Sequence, residues 1–166
     1  MKAAWRWLGL MALALFALQL YFVIRVAAMV VIAPQSTAFE RSEAWRITRE
    51  KSEFRWRQQW VDYPQISDHL KRAVIASEDD GFANHDGVDW DALEKAWAKN
   101  TQAEQRAQQR SNAKPPKIVG GSTITQQLAK NLFLSGERTM VRKGQEFVLT
   151  FLLERLLTKR RILEIY

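Results

Sequence analysis

Gly120-Gly121-Ser122-Thr123-Ile124-Thr125-Gln126-Gln127-Leu128-Ala129-Lys130-Asn131 starts a helix and then keeps one face of it polar without a folding reason. The two glycines permit unusual dihedrals and close backbone approach, and Ser122 or Thr123 can accept bonds from the first free N–H groups. Those N–H groups also suit an anion. Ile124, Leu128 and Leu132 recur every four residues as a buried stripe, while Thr123, Gln127 and Lys130 follow on another face. Such a helix is either an ordinary amphipathic surface helix or an anion site, and its spacing alone does not separate the two.

Downstream, Ser135-Gly136 breaks the chain before a helix from about Thr139 to Leu157, whose middle, FVLTFLLERLL, is apolar almost all round. A helix of that kind is buried or presses on a membrane. Glu146 lies in its first half with Arg142 and Lys143 one turn earlier. At a surface this is an ion pair worth about 0.3 to 0.5 kcal/mol. In a buried helix a carboxylate with two cations is expensive and calls for a function. A last amphipathic helix begins at Thr158, with Lys159, Arg160 and Arg161 in its first turn. It reaches Tyr166 without a C-cap, so the sequence reads as a piece of something longer.

Upstream, Ser67 reads as the N-cap of a helix through Leu70, Val74 and Ile75 to Glu78-Asp79-Asp80, ended by Gly81. A carboxylate at the C-terminal end of a helix faces the negative end of the dipole, which makes it a better proton acceptor. Glu78 therefore suits a general base, although the same cluster also reads as a solvated acidic turn. His85 is read as fixing its loop through backbone bonds, with catalytic base as the alternative. A second helix opens near Asp89 with Trp90, Leu93 and Trp97 on one face. From Thr101 to Lys117 the apolar residues run out, which predicts a mobile loop or frayed helix end.

The N-terminus differs in composition from everything after it. From Trp7 to Ile24 no residue is charged, which is long enough for a membrane span of roughly 18 to 25 residues. The apolar run is too long for a cleaved signal peptide and no small-x-small site follows it, so it reads as an uncleaved anchor over residues 1–33. Lys2 and Arg6 before it predict a cytoplasmic N-terminus and an exported remainder, 34–166. Arg25 reaches the far interface from near the helix end. After Pro34, the segment Gln35 to Trp60 mixes charge with aromatics and alternates around Phe54-Arg55-Trp56-Arg57 as a short strand would. It reads either as a surface lying on headgroups or as an extended connector packing its tryptophans on the main domain.

Lys and Arg total 25 against 18 Asp and Glu, a net charge of +7 that favours acidic lipids or phosphates as neighbours. Nucleic acid is excluded behind an export anchor. The chain has no cysteine and no cluster of Cys and His with metal-ligand spacing.

Together these segments resemble glycosyltransferase family 51, the peptidoglycan glycosyltransferases, and are most similar to its monofunctional membrane-anchored members. The resemblance covers Pro34 to Tyr166. The first family motif, E-D-x-x-F-x-x-H-x-G, is met by Glu78, Asp79, Phe82, His85 and Gly87, and the second by Gly120 through Asn131. Arg142, Lys143 and Glu146 match the third, and Arg161, Ile162, Leu163, Glu164 and Tyr166 the start of the fourth, R-I-L-E-x-Y. The family pattern continues beyond that tyrosine. The resemblance implies a mainly α protein: a transmembrane helix followed by a lysozyme-like helical domain with a small membrane-proximal jaw.

It also implies the reaction, in which lipid II units are joined into glycan strands at the outer face of the bacterial inner membrane. Glu78 is the general base that deprotonates the acceptor 4-hydroxyl. Diphosphate is a good leaving group once its charge is met, so Lys130, Arg142 and Lys143 supply cations, with Thr123 and Gln127 as donors. Attack opposite an α-linked diphosphate gives a β-1,4 bond with inversion, the two carboxylates lying well apart. Glu146 is the second essential acid, which orients those cations, holds a divalent ion or assists the departing diphosphate. No cofactor is required beyond that optional ion.

The resemblance places Asp79, Phe82, His85, Gly87 and Asn131 at the substrate too. Asp79 and His85 are read as supports of the Glu78 loop, and Phe82 as a wedge against core or acceptor. Implied partners are lipid II, the nascent glycan, membrane lipid, and cell-wall synthesis or division proteins. The alternatives are a lysozyme-like lytic enzyme and a non-catalytic membrane-anchored binding protein. A lytic enzyme has no diphosphate to bind, which leaves the second motif without a purpose.

Overall fold

A computed structural model describes residues 2–51, 55–109, 118–137 and 139–166. Its elements are α1 (Lys2–Ala28), α2 (Ala38–Glu50), a short 3-10 turn (Tyr63–Gln65), α3 (Asp68–Glu78), α4 (Trp90–Gln108), α5 (Ile124–Phe133), α6 (Met140–Leu156) and α7 (Lys159–Ile165). No strand occurs among the described residues, so the mainly α expectation holds.

The centre is the pair α5 and α6. Ile124, Leu128 and Leu132 are buried against Leu149 and Leu153, and Leu157 and Ile162 of the α7 region close the same cluster. Each such side chain, fully buried, contributes about 1.5 to 3 kcal/mol. The far face of α6 leaves Met140, Val141, Val148 and Phe151 exposed, so this apolar helix is buried on one side only.

Helix α1 is long and apolar enough to cross a membrane, with a mean hydropathy of 2.1 over its best window and 6% of that window buried. Its last third behaves differently. Phe22, Val26 and Met29 are buried in the same cluster as α5 and α6, and the Phe22 and Phe133 rings meet edge-on at 5.5 Å. The core thus crosses the change of composition near residue 33.

Two sequence expectations are corrected. The strand reading around Phe54 to Arg57 fails at Arg55, Trp56 and Arg57, which lie in irregular backbone; Phe54 is outside the described residues. Regular structure falls earlier, in α2, whose start is a capping box: Thr37 accepts from Glu40 N at 3.0 Å and the Glu40 carboxylate accepts from Thr37 N at 2.6 Å. The T-x-x-E spacing was the signal for it. The packing alternative is not met either, because Trp45, Trp56 and Trp60 all stay exposed; the chain after α2 is tied down instead by the bond from Tyr63 N to Glu164 and by Arg161 over the Trp60 ring.

The mobile-loop alternative for Thr101 to Lys117 also fails over its first part. Helix α4 runs to Gln108, because Gln, Glu, Ala and Arg are good helix formers without an apolar face. Residues 110–117 of that tract lie outside the described residues. Beyond them, Val119 is tied back to α4, its N–H and C=O both bonding the Asn100 side chain.

Candidate active site

Helix α3 turns Val74 and Ile75 toward the core and ends at Glu78. Asp79 follows outside the helical region, with φ −165° and ψ 75°, and Phe82 N then bonds Asp79 O at 2.9 Å, a tight turn that sends the Phe82 ring into the core. Glu78 is left exposed on the last helical residue while its neighbour Asp79 is buried.

Asp79 joins the first motif to the second. One carboxylate oxygen lies 2.8 Å from His85 Nε2, and the other accepts from Ile124 N, the first residue of α5, at 3.0 Å. A negative charge is favoured at that helix start. His85 Nδ1 accepts from Gly87 N at 3.1 Å, so Nε2 is the nitrogen that donates to Asp79. We expect Asp79→Ala to lower the unfolding free energy by about 2 to 4 kcal/mol, because two groups lose their partner at once. Asp79→Asn, which keeps one acceptor, loses less. Denaturant unfolding checks this, and an unchanged midpoint for Asp79→Ala contradicts it.

Thr123 is the N-cap of α5. Its hydroxyl accepts from Gln126 N and donates to Gly87 O at 2.6 Å, while the Gln126 side chain accepts from Thr123 N. Ser122, the other capping option, is exposed. Four residues that the resemblance puts at the substrate, Asp79, Phe82, Gly87 and Thr123, are therefore buried. The structure gives them to the loop and the helix start rather than to an open surface.

The open part of the site is Gln127 and its neighbours. Gln127 Nε2 donates to Glu78 at 2.9 Å and Gln127 Oε1 accepts from the Tyr166 hydroxyl at 3.1 Å. Burial first, and then the nearby Glu78 charge, hold the Tyr166 phenol above its usual range, so it stays a neutral donor. Lys130, one turn further along α5, enters no ion pair among the described residues. Asn131 lines a groove with Leu128, Trp60, Glu164 and Tyr166.

A second group forms at the start of α6, capped by Thr139. Glu146 is buried and receives Arg142 Nη1 at 2.7 Å on one oxygen and Lys143 Nζ on the other. The buried alternative for this acid is the one that holds. The arrangement keeps one excess positive charge, and the buried Nε of Arg142 has no hydrogen-bond partner among the described residues. A donor in that state suits an anionic oxygen. Among the described residues no hydrogen bond joins this group to that of Glu78.

Sequence reasoning missed a brace between the motifs. Glu154 accepts from Thr125 at 2.5 Å and from Lys159 at 2.8 Å, and Lys159 also reaches His85 O and lies over the Phe82 ring. The signal was there: Glu154 is the one acid inside FVLTFLLERLL. Asp79, His85 and Asp89 bring potential metal-ligating atoms within 4.8 Å of one another. Asp79 and His85 bond each other, however, and Asp89 caps α4 through Ala92 N, so the cluster serves as a hydrogen-bonded support.

The transglycosylase family profile matches residues 46–166. A biosynthetic peptidoglycan transglycosylase of Burkholderia thailandensis is 52% identical over 165 residues, covering 97% of this chain and 60% of that protein. Its counterpart in Burkholderia pseudomallei is 50% identical with the same coverage. One of Azoarcus sp. is 48% identical over 170 residues, covering 100% of this chain and 69% of that protein. The chain spans about 60% of the length of the two Burkholderia relatives. Family motifs, an all-helical core built on them and this match across most of the chain converge: the chain belongs to the transglycosylase family.

Proposed function

We propose that the protein is a membrane-anchored peptidoglycan glycosyltransferase that polymerises lipid II into β-1,4 glycan strands with inversion, releasing undecaprenyl diphosphate. The observation that carries the reading is the contrast around Glu78: Asp79, Phe82 and Gly87 anchor its loop from buried positions, while the carboxylate itself stands exposed with Gln127 as its hydrogen-bonding neighbour. Glu78 takes the proton of the acceptor hydroxyl as the new bond forms. Lys130 and the Arg142 and Lys143 pair meet the charge of the departing diphosphate, and Glu146 orients that pair. Protein cations fill the electrostatic role without a cofactor. The buried Arg142 Nε, without a partner among the described residues, supports an anion there. Lys2 and Arg6 favour a cytoplasmic N-terminus, which puts the domain on the outer side of the inner membrane. Wall-synthesis or division proteins are the partners expected of such an enzyme.

The test is full-length protein in bilayers with labelled lipid II. Polymer that a muramidase cleaves supports the reading; release of sugars from finished wall without polymerisation overturns it. Within the same assay, Lys130→Ala is expected to raise KM for lipid II about tenfold, the effect of losing one charge-assisted bond. Its unfolding midpoint should stay put, since the Lys130 side chain braces no other element among the described residues. An unchanged KM removes Lys130 from the diphosphate site.

A further inference from the structure

We propose that the side-chain amides of Gln19 and Gln145 form a lock that fixes the depth and rotation of α1 against α6, and through it positions the Glu146 end of the site relative to the bilayer. Gln19 is the only amide in the uncharged run from Trp7 to Ile24. Gln19 Nε2 donates to Gln145 Oε1 at 3.0 Å, and Gln145 Nε2 donates back to Gln19 Oε1 at 3.3 Å. Gln145 is the residue before Glu146, on the turn that carries the two cations.

Gln19 starts a stripe with Phe22 and Val26 along one face of α1 that continues to Met29 just past its end. At the far end Arg161 Nε bonds Met29 O at 2.8 Å. Gln19 lies six residues before Arg25, about 9 Å at 1.5 Å per residue, so it sits below the level of that charge. Val148 and Phe151, exposed on α6, line one pocket with Gln19 and Val23 and present apolar surface beside the pair, while Asp86, Glu154 and Arg155 line the same pocket with charge. In a bilayer, lipid tails are as apolar as the stripe, so apolar contact alone does not select one register. A reciprocal amide pair does, because any slide or rotation leaves polar groups unmatched.

The catalytic half of this inference rests on the glycosyltransferase reading, so its test has two readouts on the full-length protein in bilayers. Spin labels at Leu13→Cys and Val141→Cys, clean because the chain has no cysteine, report the α1 to α6 distance. A narrow distribution is expected, broadened by Gln19→Leu, by Gln145→Leu and by the double variant. Unchanged distributions overturn the lock whatever the activity.

In the second readout, polymerisation by the otherwise unaltered protein should peak sharply at one lipid chain length, and each Leu variant should flatten that peak. Activity at the peak should fall about threefold, the usual strength of one hydrogen bond between membrane helices. The double variant should lose no more than either single. Losses that multiply, or a peak that stays sharp, overturn the positioning role. A protein that makes no glycan at all overturns the reading of function instead, and the distances still judge the lock.

Discussion

Glu78→Gln is expected to lower the rate of lipid II polymerisation by 10² to 10⁴, the range for removing a positioned general base, while leaving the fold intact. The structure explains why both halves of the result should appear together. Glu78 is exposed at the end of α3 and its only side-chain hydrogen-bond partner among the described residues is Gln127, so a neutral isostere breaks no packing. An amide keeps an acceptor oxygen for Gln127 Nε2 and has no basic carboxylate for the acceptor proton. KM should change little, because in the proposed mechanism the diphosphate is met by Lys130, Arg142 and Lys143. A variant that keeps more than a tenth of the rate contradicts the assignment of Glu78. A large loss accompanied by an earlier unfolding transition means that the carboxylate holds structure instead.

The site was legible in the sequence to different depths, for physical reasons. Residues whose chemistry is local were read directly or nearly so: the opening of α4 near Asp89, a cap on α5 at Ser122 or Thr123, which proved to be Thr123, and the pairing of Arg142 and Lys143 with Glu146 all follow from local spacing. Residues whose roles depend on distant partners were not. Asp79 reaches α5 across 45 positions and Lys159 reaches His85 across 74, and no periodicity encodes either contact. Likewise the hydropathy of α1 announced a membrane helix but not the docking of its last third. An apolar residue facing lipid and one facing protein look alike in sequence.

Gly87→Ala should destabilise the protein by about 2 to 5 kcal/mol, the sum of a left-handed backbone penalty and of overpacking. Gly87 has a φ of +89°, and a methyl group there would lie 2.7 Å from Thr150 Cγ2 and 2.8 Å from Glu154 Cγ. Neither neighbour yields cheaply. Thr150 is fully buried and its hydroxyl bonds Glu146 O at 2.8 Å, while the Glu154 carboxylate is held by Thr125 and Lys159. Displacing them moves α6 one turn from Glu146 and pulls the Gly87 carbonyl off the Thr123 hydroxyl, so polymerisation should fall as well. Glycine identity alone does not predict this. At Gly121 the added methyl meets Ala96 Cβ and Leu93 Cα at 3.2 Å, a smaller strain, and at Gly120 it meets nothing within 4 Å. Unfolding midpoints of the three alanine variants should therefore fall in the order Gly87, Gly121, Gly120, with Gly87→Ala by far the lowest. A Gly87→Ala protein as stable as Gly120→Ala would mean that the three motifs are not packed on one another around this residue.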